Sequence, residues 1–369
     1  MKILVTGANG FIGKNLIAEL KNQKHSDIFA FDLDTDPSLL DEYCQEADFV
    51  FHLAGVNRPQ DQSEFMTGNF GFSSTLLDLL KKYKNRCPIM ISSSAQAALD
   101  NPYGKSKKAG EDLMFEYARE TGAKALVYRF PNVFGKWCRP NYNSAVATFC
   151  YNIANDMPIS VNDPSVVMKL VYIDDLVEEL INALHNNEHY TGAFCEVPVT
   201  HTIQLGEIAD LIYSFKKSRE ERSIPDMSSG IISKLYSTYL SYLPKDQFSY
   251  PLKMNLDNRG SFTEFIKTPD RGQVSINISK PGITKGNHWH HSKNEKFLVV
   301  SGEGVIRFRM VGTEDIIEYN VNGDKLEVVD IPTGYTHNIE NLGETDMVTI
   351  MWVNECFNPD KPDTYFLEV

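Results

Sequence analysis

The chain has 369 residues, 42% of them hydrophobic, and carries 36 Lys plus Arg against 49 Asp plus Glu, a net charge of −13. That length exceeds one ordinary domain and the composition is that of a soluble globular protein, so two domains are expected. The acidic balance argues against a nucleic acid or an acidic membrane as partner, and no apolar run approaches the ~20 residues of a membrane span.

Residues 2–6 read as an apolar strand running straight into Gly7-Ala-Asn9-Gly10-Phe11-Ile12-Gly13, and 15–23 have helical spacing at Leu16, Ile17 and Leu20. Strand, glycine turn and helix in that order let the backbone approach a pyrophosphate at the positive end of the helix. A second strand, 28–31, ends at Asp32, nineteen residues after Gly13. A carboxylate there hydrogen-bonds a ribose diol and repels a 2′-phosphate. The strand 47–53 ends in His52-Leu53-Ala54-Gly55, where small residues let a cofactor lie close. A helix over 73–83, a strand over 88–91 leading to Ser94, a helix over 103–119 and a strand over 125–129 continue the alternation. This rhythm predicts a Rossmann-type, doubly wound parallel sheet with ligands at the carboxyl ends of its strands.

Tyr103 and Lys107 stand four residues apart at the start of a predicted helix and share one face of a turn. A tyrosine titrates near pH ~10. An adjacent ammonium favours the phenolate and is expected to lower that pKa, giving a group that passes a proton to or from a sugar oxygen. Ser94 would donate a hydrogen bond to the same oxygen. With Arg129-Phe-Pro-Asn132-Val-Phe-Gly135 and Val171-Tyr-Ile-Asp-Asp-Leu176, these motifs resemble the extended short-chain dehydrogenase/reductases that act on nucleotide sugars, over roughly residues 1–240.

The resemblance implies Tyr103 as acid/base, Lys107 on the nicotinamide ribose and Ser94 on the substrate oxygen. It also implies that Asn132 and the following loop lie near the nucleotide diphosphate. Arg129, Lys136 and Arg139 are then candidates for substrate binding, solvated loop charges being the alternative for the last two. Only eight residues separate Ser94 from Tyr103, where the family usually has a longer substrate-contacting loop. NADPH is the cofactor implied by the likeness to biosynthetic reductases; Asp32 favours NADH.

Residues 203–217 and 231–242 are expected to be helical, and Pro244 and Pro251 bracket a linker, which places the domains at 1–245 and 246–369. Beyond 250, short alternating runs at 273–279, 296–300, 305–310 and 347–353 predict an all-β antiparallel domain. In Gly282-x5-His288-Trp-His290-x4-Glu295-x6-Gly302 the two imidazoles fall on one side of a strand, and Glu295 returns to that side after a turn. Pro332-Thr-Gly334-x2-His337-x3-Asn341 adds a third imidazole. Three His and one Glu suit Zn²⁺, with Fe²⁺, Mn²⁺ or Ni²⁺ as further possibilities. His291 reads as a solvated neighbour. The six cysteines (44, 87, 138, 150, 195, 356) lack any Cys-x-x-Cys pair, and no signal peptide is evident, so reduced thiols in a cytoplasm are expected.

The two His motifs resemble those of cupins, which implies a jelly-roll fold and a homodimer. Asp257-Asn-Arg259-Gly260-Ser-Phe262 looks like the signature of cupin epimerases acting on 4-keto-6-deoxy sugars. That resemblance implies removal and return of the C3 proton, the enolate oxygen being stabilised by Lys296 or by the metal. Lys285-Gly-Asn-His288 falls where the metal-free epimerases carry their catalytic His, so a metal-bound His288 requires another base. The whole chain is similar to the bifunctional reductase/epimerases of capsular polysaccharide synthesis on the UDP-N-acetyl-L-fucosamine route. This implies a UDP-2-acetamido-2,6-dideoxy-hexos-4-ulose substrate and a UDP-6-deoxy-talosamine-type product. The rivals are a cupin serving only as a metal-stabilised dimerisation module, a metal dioxygenase, and an NADP(H)-binding sensor. The intact Ser94, Tyr103 and Lys107 set argues against the last.

Overall fold

Ile3–Thr6, buried at all four residues, is flanked by parallel neighbours, Ile28–Phe31 on one side and Phe49–His52 on the other. The computed structural model describes residues 1–369, which divide into two units. The first comprises Met1–Tyr213 and Met227–Pro244. Its main sheet runs in the order 28–31, 3–6, 49–52, 89–94, 125–130, 194–195, 190–191. Helices cover both faces, so the strands read as unbroken apolar runs. Ile3 and Val5 face a layer containing Leu16, Leu20, Leu176 and Leu180; Leu4 faces Leu40, Leu76, Leu80 and Met114. Strand order reverses beside Ile3–Thr6, which is where a doubly wound sheet opens a crevice.

The helix that carries Tyr103 and Lys107 is Pro102–Thr121. It starts there because Asn101 Oδ1 accepts from Gly104 N at 2.7 Å and proline occupies the first turn. It stops at Gly122, whose φ of +74° suits glycine. The expected helix over 203–217 begins later: His201–Gln204 pairs antiparallel with Val167–Tyr172, and the helix is Leu205–Glu221. Three longer helices absent from the sequence reading are Leu39–Glu46, Ala145–Ala154 and Ile173–Leu184. The second is apolar on nearly every side, so it has no helical period to read.

The second unit comprises Ser214–Asp226 and Lys245–Val369. Residues 214–226 therefore group with it rather than with the first domain, where the sequence reading put them. The cause is main-chain pairing with the 260–268 strand: Lys267 N donates to Arg222 O at 2.8 Å and Ile224 N to Lys267 O at 3.2 Å. The unit is all β. A six-stranded sheet runs 254–257, 260–268, 272–279, 347–353, 295–301, 328–331, and a five-stranded sheet runs 316–322, 303–310, 335–341, 284–289, 365–366. Alternate inward residues, Phe297 and Val299 from one sheet and Ile306, Phe308 and Ile339 from the other, build its core. No helix of the chain is long and apolar enough to cross a membrane.

Candidate functional site

A cleft of about 630 Å³ opens where the first sheet's order reverses, walled by the glycine turn, Leu53, Ser94, Tyr103, Lys107 and Asn132. Gly7 has φ +70°, and a Cβ on it would lie 2.7 Å from Ala54 N. A Cβ on Gly13 would lie 2.2 Å from Gly7 O, so the turn closes only with glycine at both positions. Asn9, Gly10, Phe11 and Ile12 line the cleft between them. Asp32 and Ala54 are not among the residues that wall the cleft; Asp32 Oδ2 accepts from Asn9 N at 2.7 Å and fixes the loop. The cradle fits a dinucleotide: backbone N–H groups at a helix start, with no Cβ between them and the cleft.

Lys107 is buried, and its Nζ donates to Ser92 O at 3.1 Å. Burial pulls its pKa down to about 8, against the pull of the Glu111 carboxylate. Its Nζ lies 5.9 Å from the Tyr103 ring centre. The expected lowering of the Tyr103 pKa does not occur in the free site. Burial raises it, outweighing a hydrogen bond with Ser94. A phenol kept protonated is the form able to donate a proton to a carbonyl oxygen.

Arg129 is a correction. Its Nε and Nη2 donate to the two Glu111 carboxylate oxygens at 2.8 and 2.6 Å, and its guanidinium sits 3.9 Å from the Phe194 ring centre. Glu111 is fully buried and also accepts from Ser93 Oγ at 2.6 Å. Arg129 thus neutralises a buried carboxylate and does not line the cleft. Glu111→Gln leaves that guanidinium without its counter-charge and should cost on the order of 3 kcal/mol, read from the denaturant midpoint. Lys136 is likewise off the wall, paired with Asp174 and 5.7 Å from the Trp137 ring. Arg139 does line the cleft, 5.0 Å from the Tyr142 ring. Trp137 and Tyr142 also stand on that wall, and the sequence reading passed over both. Their signal was an aromatic pair in the loop that follows a strand's carboxyl end.

The second unit has its own cavity of about 610 Å³. His288, His290, Glu295 and His337 meet there, with one donor atom from each within 4.8 Å of the others. His337 Nε2 and His290 Nε2 lie 3.3 and 3.8 Å from Glu295 Oε2. All three atoms are buried without a hydrogen-bond partner. Such orphans are costly in a dry interior, and donors ~3.3 Å apart suit a metal bound at ~2.0–2.1 Å. The four therefore fit a divalent cation. His290 Nδ1 is held by Asp363 O at 2.6 Å, which keeps Nε2 facing inward. Burial holds His288 down to about 4, so it is a neutral imidazole ready to ligate.

Lys296 is the second correction. It is exposed and pairs with Asp330, because its neighbour Glu295 points inward and successive strand residues face opposite ways. It does not line the cavity; Lys285 does.

Residues 3–193 match the NAD dependent epimerase/dehydratase family, and 255–365 match the polysaccharide biosynthesis C-terminal domain. The chain is 43% identical to a UDP-2-acetamido-2,6-beta-L-arabino-hexul-4-ose reductase of Pseudomonas aeruginosa, covering all of this chain and 99% of that one. It is 59% identical to the crystal structure of the capsular polysaccharide assembling protein CapF from Staphylococcus aureus, with a TM-score of 0.96 and full coverage of both chains. A UDP-glucuronic acid 4-epimerase from Bacillus cereus shares the fold of the first unit at 21% identity and a TM-score of 0.54, over 66% of this chain and 98% of that one.

Proposed function

The chain belongs to the NAD dependent epimerase/dehydratase family, and from that membership we propose a nucleotide-sugar enzyme of capsular polysaccharide synthesis with two active sites. The second unit, read as a metal-binding cupin jelly roll, epimerises C3 of a UDP-2-acetamido-2,6-dideoxy-hexos-4-ulose. The first reduces the C4 ketone with NADPH, giving a UDP-6-deoxy-talosamine-type product. The observation that carries this reading is that likeness to the Pseudomonas reductase runs through both units rather than the first alone.

In the reductive site, Ser94 and Tyr103 hold the C4 oxygen. The glycine turn Gly7–Gly13 would hold the dinucleotide, whose nicotinamide would supply a hydride for C4. Tyr103 gives its proton to the oxygen, and the Lys107 ammonium favours the phenolate left behind. Asn132 and Arg139 face the nucleotide diphosphate. In the second unit, His288, His290, Glu295 and His337 hold Zn²⁺ or a similar divalent ion. The protein is read as a cytoplasmic homodimer.

The deciding experiment is deuterium uptake by the 4-keto substrate in D₂O, with full-length protein and no nicotinamide. Uptake at C3 supports an epimerase; its absence leaves a plain reductase. Four protein donors, which would leave no open position on a four-coordinate ion, favour a second reading, in which the metal would be structural. Under that reading, chelation lowers thermal stability and leaves C3 exchange at the wild-type rate.

A further inference from the structure

Removing a proton beside a ketone places negative charge on one oxygen, and a preorganised donor at that oxygen accelerates the step. Three cations line the second cavity: Arg259, Lys285 and Lys293. Arg259 is engaged twice by Asp257, at 3.0 and 2.7 Å. Lys293 is tied to Pro362 O and Thr364 Oγ1 and lies 4.0 Å from Glu355. Lys285 Nζ donates to Asn277 Oδ1 and Ile278 O, both at 2.8 Å, and bonds no carboxylate. An ammonium has three N–H groups, so the two protein bonds aim Lys285 and leave one donor.

Strand parity alone would keep Lys285 out of this cavity. Residues three apart point to opposite faces, and His288 faces the cluster. The register against Tyr335–Asn341 shifts between Gly286 and His288: Gly286 opposes Asn338 and His288 opposes His337. Asn287 is the extra residue, at φ +58°. That bulge restores parity and places Lys285 and His288 on the same wall. It is held on purpose-built contacts. Asn287 Oδ1 accepts from Asn338 Nδ2 at 2.9 Å, and its carbonyl accepts from Leu367 N at 3.0 Å. Gly286 has φ +107°, and a Cβ there would lie 2.8 Å from His337 O.

We propose that Lys285 is a catalytic residue of this cavity, its third N–H binding the C4 oxygen of the keto sugar and stabilising the enolate. The inference rests on the epimerase reading above. In the step, the C3–H bond breaks and its proton passes to a carboxylate of the cavity wall, which carries Asp257, Glu264 and Glu355 besides Glu295. The bond pair forms the C3–C4 double bond, and the carbonyl π pair moves to the oxygen held by Lys285. A solvent-derived proton delivered to C3 from the opposite face reverses the flow and restores the ketone, and the base returns its own proton to solvent.

The test follows C3 exchange in D₂O by proton NMR, using full-length wild-type, Lys285→Ala and Lys285→Arg proteins, with metal content and Tm measured on each. At equal metal content, Lys285→Ala is expected to exchange about 10²–10³-fold more slowly than wild type. Lys285→Arg should recover part of the rate, and added ethylammonium should restore exchange to Lys285→Ala. Exchange by Lys285→Ala within about threefold of wild type overturns the inference and leaves the epimerase standing. Slow exchange that neither ethylammonium nor Lys285→Arg improves assigns Lys285 to structure and also overturns it. Absence of exchange from wild type overturns the epimerase reading and this inference together.

Discussion

Tyr103→Phe is expected to lower kcat for ketone reduction by about 10²–10⁴-fold, the range supplied by a positioned general acid. The ring remains packed against Phe65, 5.6 Å between centres, so Tm should be unchanged. Stopped reduction with an intact fold is the signature; reduction at the wild-type rate would remove Tyr103 from the chemistry. The same site predicts a pH dependence with a definite sign. Burial lowers Lys107 to about 8, so the lysine is charged below that pH and loses its proton above it. The charge that favours the phenolate is lost on the alkaline side. kcat/KM should therefore hold level up to about pH 8 and fall beyond it. Lys107→Arg keeps its charge throughout and should remove that limb from whatever activity remains.

His337→Ala is expected to abolish stoichiometric metal binding and to lower the thermal stability of the second unit. His337 is 1% exposed and lies 3.3 Å from Glu295, so its loss opens the centre of the cluster. A cation at a hundredfold excess over Kd contributes about 2.7 kcal/mol. For a unit of this size that corresponds to a Tm shift on the order of 10 °C. Metal analysis and calorimetry with and without chelator read both quantities. Full metal content in the variant would refute the ligand set.

Much of this was legible beforehand because backbone demands leave residue-level marks. A turn that closes only on glycine, as at Gly7 and Gly13, announces itself, and so does a helix start marked by Asn101 and Pro102. The His–Glu cluster was readable because His288 and His290 stand two residues apart at the end of one strand and Glu295 opens the next after a turn. What escaped depended on contacts distant in sequence. Arg129 sits in a motif that points to substrate, yet its partner is Glu111, on a helix eighteen residues earlier. Lys296 was misplaced although strand parity with the inward Glu295 already turns it outward, toward Asp330. Lys285 was passed over: a bulge reverses parity there, and nothing in an alternating pattern marks one extra residue. The phenol of Tyr103 failed in sign, since spacing reveals a neighbouring charge and is silent about burial.

The segment around Asp363 ties the metal-ligand loop to a distant part of the chain. Its carboxylate accepts from the backbone N–H groups of His291, Ser292 and Lys293, and its carbonyl orients His290 across a separation of 73 residues. Loops of that span close slowly, after local hairpins have formed. The cluster is thus expected to assemble late in folding rather than to nucleate it. In a refolding chain the sheet signal should precede metal uptake, and added cation should leave the rate of sheet formation unchanged while slowing unfolding.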